Sequence, residues 1–150
     1  MLRFPLAVIL LLLSVGCGDP VPAPESVARD VVAALARKPP LNNLKLIYER
    51  LSEKTRAELK SRAVKLRETT GVESLNDWDV IGPRFLVIGD RVAAAELLEE
   101  GDGKAKVELK LAPYVAPSGG GDDSAAKSVI VDLVMEEGQW RVELPFVPAS

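Results

Sequence analysis

"KSVIVDLVMEEGQWRVELPFV", Lys127 to Val147, places Val129, Val131, Leu133 and Met135 at every second position, and then does the same with Trp140, Val142, Leu144 and Phe146. Arg141 and Glu143 fill the places between. Alternation at a period of two is the mark of strands that bury one face and wet the other, and the intervening Glu137-Gly138 is a turn signal. The same period extends towards the N-terminus. "KAKVELKLAPYV" alternates Val107, Leu109 and Leu111 with Lys106, Glu108 and Lys110, and "RVAAAELLEE" and "RFLVIGD" complete a set of five strand candidates from Phe85 onward. They are separated by Gly89-Asp90, Gly101-Asp102-Gly103, the loop from Pro113 to Ala126, and Glu137-Gly138. Short connections of this kind predict an antiparallel meander.

Ahead of the strands the period is 3.6. "SVARDVVAALARK" repeats Val27, Val31, Ala34 and Leu35 at helical spacing behind Ser26, a cap residue, and Pro39-Pro40 ends it. "NNLKLIYERLS" puts Leu44, Ile47, Tyr48 and Leu51 on one face. Ser52 is placed to cap "EKTRAELKSRAVKLRETT", whose Leu59, Ala63 and Leu66 form the expected stripe, and Gly71 is a natural stop. A short helical turn is expected around "ESLNDW". Helices first and one sheet afterwards predict an α+β domain, with the N-terminal helices packed on a curved antiparallel sheet of about five strands.

That order, with "GQWRVEL" closing the sheet, resembles the nuclear transport factor 2-like superfamily. The stretch "LIYERLSEKTRAELKSRA", Leu46 to Ala63, is similar to the second-helix region of its small secreted or lipidated bacterial members. The likeness covers roughly Ser26 to Val147 and implies a cone in which the sheet wraps a helix.

The N-terminus belongs to a different kind of segment. Arg3 precedes an apolar run from Phe4 to Val15, about a dozen residues where a membrane-spanning helix takes about 20, so the run is too short for a stable anchor. A positive residue, a short apolar core and small residues form a secretory signal. "SVGC", Ser14 to Cys17, resembles the lipobox of bacterial lipoproteins, in which the cysteine is acylated and becomes the first residue of the mature chain. Ser14 departs from the usual leucine. The expected organisation is a signal peptide over 1–16, lipidated Cys17 with a Pro-rich tether over 17–25, and a single domain over 26–150. The three acyl chains that such a lipoprotein carries make release from the membrane negligible, since each buried CH₂ contributes about 0.8 kcal/mol. Asp19 stands one place later than the aspartate that marks inner-membrane retention in these proteins, which implies an exported chain on the outer membrane facing the periplasm.

Cys17 is the one cysteine of the 150 residues, so a lipidated chain has no thiol left for a disulfide, a metal site or a nucleophile. There is no histidine, which removes His-based metal sites, the serine and cysteine triads and the usual neutral-pH proton shuttle. "SGGGDDS", Ser118 to Ser124, lacks the Gly-Lys-Ser/Thr of a phosphate cradle and lies between strands. Asp122 and Asp123 lack the regular ligand spacing of a calcium loop. No metal and no cofactor is implied.

Charge is divided unevenly: Ser26 to Thr70 sums to +6 and Gly71 to Ser150 to −8. Glu58 four residues before Arg62 is ordinary helix support, and the positives flank the stripe of the third helix on both sides, as on a solvated surface. An acidic, exported chain without a basic-aromatic motif does not point to nucleic acid.

Acid chemistry inside the cone is what the resemblance to ketosteroid isomerase-like and scytalone dehydratase-like enzymes would imply. Asp132 is the carboxylate nearest to such a place, but it alternates away from the apolar face of Val129, Val131, Leu133 and Met135. Tyr48 lies on an apolar helix face and Tyr114 near a strand end; Trp78 and Trp140 read as core. No residue is assigned as catalytic. Tyr48, Leu51, Val131, Leu133 and Trp140 are the candidate lining of the cone, able to hold a hydrophobic ligand or to fill the space. The expectation is a lipid-anchored envelope protein with a non-catalytic binding or interaction domain, its partners being the membrane through the acyl chains and a small apolar ligand or an envelope protein. The alternative is a small pocket enzyme of isomerase or dehydratase type with a carboxylate base.

Overall fold

A computed structural model describes residues 20–35, 41–82, 88–113 and 127–148. Three helices precede a sheet: α1 (Pro24–Leu35), α2 (Leu41–Glu49), α3 (Glu53–Thr70), then β1 (Val92–Gly101), β2 (Lys104–Leu111), β3 (Ser128–Glu136), β4 (Gln139–Val142) and β5 (Val147–Pro148). The protein is an α+β domain whose sheet runs β1-β2-β3-β4, each neighbour antiparallel, with the two-residue β5 also paired to β3.

Two tight turns set the register. Asp102 and Gly103 both have positive φ (51° and 70°) between the paired Gly101 and Lys104, and Glu137 and Gly138 (52° and 76°) do the same between Glu136 and Gln139. Two central residues at positive φ make the two-residue turn whose twist matches that of the flanking strands. The register then sends alternate side chains to opposite faces. Ala105, Val107, Leu109 and Leu111 of β2 are buried, as are Val129, Val131 and Leu133 of β3 and Trp140 and Val142 of β4. Across the outer face, Lys110 meets Glu96 at 2.6 Å and Lys106 meets Glu99 at 3.2 Å. Ser128 donates to Glu108 at 2.6 Å.

The inner face is closed by α1, which lies against all four of the longer strands. Ala28, Val31, Val32 and Leu35 are buried on that side, four residues at helical spacing. From α2, Leu44 and Ile47 join the same core, and Leu51 just beyond the helix is fully buried. Residues 50–52 continue as one more line of chain along β4. Val142 donates its amide to the Arg50 carbonyl at 3.1 Å, Ser52 donates to the Val142 carbonyl at 2.9 Å, and Leu51 bridges Val142 in parallel. That strip covers the β4 edge of the sheet. α3 starts on a full cap: the Ser52 hydroxyl accepts the Thr55 amide at 3.2 Å, and Gly71 ends the helix at a φ of 71°.

Several expectations change. α1 begins at Pro24, with the amides of Ser26 and Val27 donating to the Ala23 carbonyl, so Ser26 lies inside the helix rather than capping it. Pro is favoured at the first helical position because its missing N–H would have no partner there. Pro24 and Glu25, read as tether, are therefore part of α1. In α3, Leu59 and Ala63 are buried but Leu66 is 42% exposed and does not extend the buried stripe. The stretch 72–80 forms successive turns and no further helix. Of the first strand candidate, residues 84–87 lie outside the described residues, and Ile88 and Gly89 are helical, followed by a turn at Asp90 and Arg91 in which the Arg91 amide donates to the Ile88 carbonyl. The closing strand stops at Val142. Pro145, after a cis peptide bond from Leu144, has no N–H to extend a ladder, and only Val147–Pro148 pairs again.

Candidate functional site

The core fixes where each candidate residue goes. Leu51, Val131 and Leu133 are no more than 1% exposed and Trp140 is 7% exposed; all four belong to one packed cluster, and Tyr48 packs against its border. The structure thus brings the five candidate lining residues together as filling. Four open concavities among the described residues are each lined by at most one of them. Among the described residues the buried polar side chains are Ser52 and Thr55, whose hydroxyls pair with each other at 3.0 Å at the α3 cap.

Asp132 sits where its parity places it, on the outer face opposite Lys106 of β2. It lines an open concavity of about 570 Å³ with Glu99, Glu100, Asp102, Lys104 and Glu143. No group of three or more acids among the described residues is arranged to hold a metal ion. Cys17, Tyr114 and the loop Ser118 to Ser124 lie outside the described residues.

The most elaborated polar site surrounds Tyr48. Its ring meets Trp78 edge-on, with centroids 6.2 Å apart, and its hydroxyl donates to the Arg56 carbonyl at 3.4 Å. Burial and then the nearby Asp77 carboxylate push the Tyr48 hydroxyl above its usual value of 10.0, with Arg56 pulling weakly the other way. Asp77 is held in turn by Arg67 at 3.3 Å. The hydroxyl therefore stays protonated at neutral pH, a hydrogen-bond donor and not a base.

Beside it opens a concavity of about 510 Å³ lined by Glu53, Arg56, Lys60, Glu136, Glu137 and Arg141 as well as Tyr48. Both carboxylate oxygens of Glu136 accept the Glu53 amide, at 2.9 and 3.1 Å, so β3 places an anion on the positive end of the α3 dipole. Arg56 stands 3.9 Å from the same carboxylate. Arg141 donates to the Glu49 carbonyl at 2.6 Å, which ties β4 to the end of α2. Of these side chains Arg56 and Glu136 form an ion contact, and Arg141 keeps its Nε buried without a hydrogen-bond partner. The arrangement holds elements together and offers polar contacts at the surface; it has no carboxylate set in an apolar pocket, as a general base would need.

The sequence alone does not reveal the Glu136 contact. Its partner is 83 residues away, and an acid at the end of a strand carries no local signal of a helix terminus. Compared with protein-family models, curated proteins and solved structures, the chain has no significant match in any of the three.

Proposed function

We propose that this chain is a bacterial lipoprotein, acylated at Cys17 and held on the outer membrane facing the periplasm, that displays a nuclear transport factor 2-like domain acting through its surface as a non-catalytic interaction module. The observation that carries the non-catalytic part is the filled interior: Leu51, Val131, Leu133 and Trp140 pack into one core cluster where a cone-type enzyme would keep a pocket and its acid. The element order favours the superfamily assignment, since helices precede a meander and α1 lies across the inner face of its four longer strands. For the anchor, the support is the run Phe4 to Val15 ending in "SVGC".

Expression of the full chain and of Cys17→Ala in a bacterium that processes lipoproteins tests the anchor. The parent should enter the detergent-rich phase with a mature mass that includes acyl groups, and Cys17→Ala should stay in the aqueous phase with its signal unprocessed. Identical partitioning and mass for the two proteins would remove the lipoprotein reading.

A further inference from the structure

The chain meets the folded body very soon after Cys17. Pro20, Val21 and Pro22 do not stand away from the domain. Together with Ser26, Val27 and Asp30 of α1, Arg50, and 138–141 of the β3–β4 hairpin, they line a concavity of about 420 Å³, and Pro24 is already buried in α1. Two residues, Gly18 and Asp19, lie between Cys17 and Pro20, and an extended chain covers at most about 3.6 Å per residue step, so the two Cα atoms lie within roughly 11 Å. The headgroup region of one leaflet is itself about 5 to 8 Å deep. A chain that short spans the headgroups and leaves little gap beyond them.

We infer that the face at the chain's entry, built from the β3–β4 hairpin, Arg50 and the start of α1, rests on the phospholipid headgroup layer, with Arg50 and Arg141 facing lipid phosphates. This rests on the acylation of Cys17 proposed above. Side-chain chemistry fits the occupant. Arg50 is exposed and is the chief cation of this face; half-buried Arg141 lines the same concavity, with one nitrogen on the Glu49 carbonyl and its Nε buried. Guanidinium groups pair with phosphate oxygens through two parallel hydrogen bonds. Val21, 52% exposed, supplies an apolar group on this face. Asp30 is the one acid lining this concavity. The β1–β2 hairpin turns at the same end of the antiparallel sheet and carries Glu100 and Asp102, which anionic lipid repels. The same repulsion acts on exposed Glu137 at the β3–β4 turn, so contact centres on Arg50 and the chain's entry, and the opposite end, where β3 begins, projects outward.

The test uses the full-length chain, purified after processing and placed in phosphatidylethanolamine/phosphatidylglycerol vesicles carrying a nitroxide on a fraction of the headgroups. Acylation blocks Cys17, so one thiol introduced at Gln139→Cys, on the hairpin, or at Lys127→Cys, at the far end, takes a single fluorophore. Both positions are exposed, and they lie at opposite ends of the nine-residue β3, about 30 Å long. The expected result is loss of most of the fluorescence at Gln139→Cys and little at Lys127→Cys. Insertion of about twelve Gly/Ser residues between Asp19 and Pro20, reaching roughly 19 Å, should bring the first close to the second. Equal quenching of the two probes, or none, in a parent chain that resists thiol labelling would overturn the apposition and leave the anchor standing. A parent that labels at Cys17 would overturn both.

Discussion

At the scale of single residues, Tyr48 and Asp132 separate an interaction surface from an enzyme. Burial and Asp77 raise the Tyr48 pKa above 10.0, so the folded state holds its proton more tightly than the unfolded chain does. The sign follows from linkage: stability is unaffected below pH 10 and declines as pH rises from 10.0 through the folded value. Absorbance titration of phenolate should show one tyrosine ionising late, and Tyr48→Phe should remove that late step and flatten the alkaline loss. A Tyr48 that ionises below 10 would place a cation or a hydrogen-bonded phenolate at the site and bring back an acid–base role. Asp132 stands on the outer face across from Lys106, so Asp132→Asn is a surface change, expected to move stability by less than about 0.5 kcal/mol in a denaturant melt. A much larger change would mean that its carboxylate carries contacts that its place on the strand does not suggest.

Among the elements, α3 depends most on its N-terminus. Of its eighteen residues only Thr55, Leu59 and Ala63 are buried, too few to hold it by packing alone. The Ser52 cap and the Glu136 carboxylate on the Glu53 amide carry the rest. Ser52→Ala should cost about 1 kcal/mol, the usual value of a lost N-cap, while the buried Thr55 hydroxyl keeps the Leu144 amide as a donor. Glu136→Gln keeps an acceptor but removes the charge and should cost less, which a double-mutant cycle with Arg56→Ala would resolve. Elements with strong periodicity were legible in advance: β2 and β3 alternate over eight and nine residues, and the burial of Ala105 to Leu111 and Val129 to Leu133 follows the letters. The two β-turns were legible as Asp102-Gly103 and Glu137-Gly138. Less could be read where the cause is not local. Pro24 is equally at home in a tether or at a helix start, and only burial against the core decides. Leu66 has the right helical phase but is 42% exposed, and phase says nothing about where a neighbour ends. The candidate lining residues lie in or against one packed cluster, and whether such a face encloses space or fills it depends on the residues opposite, from α1 and α2.

For the whole molecule, the central question is whether the inner face of the sheet is full. Stability rests on that packing, because Cys17 is the one cysteine and melting of the Cys17→Ala protein should be indifferent to reductant. Trp140 is 7% exposed on the inner face of β4 opposite Met135, so Trp140→Ala should cost about 3 to 5 kcal/mol. Leu133, 1% exposed at the middle of the cluster, gives the sharper test. Leu133→Ala removes three carbons from a close-packed site that can collapse only in part, which should cost about 2 to 5 kcal/mol and leave a dry apolar cavity. In that background a small apolar molecule should raise the melting temperature, since a ligand that binds only the native state stabilises it by mass action. The Cys17→Ala parent, with Leu133 in place, should show no such rise. If the parent responds as strongly, the space among Tyr48, Leu51, Val131, Leu133 and Trp140 opens on its own. Ligand capture in the core would then replace the proposed contact through the surface.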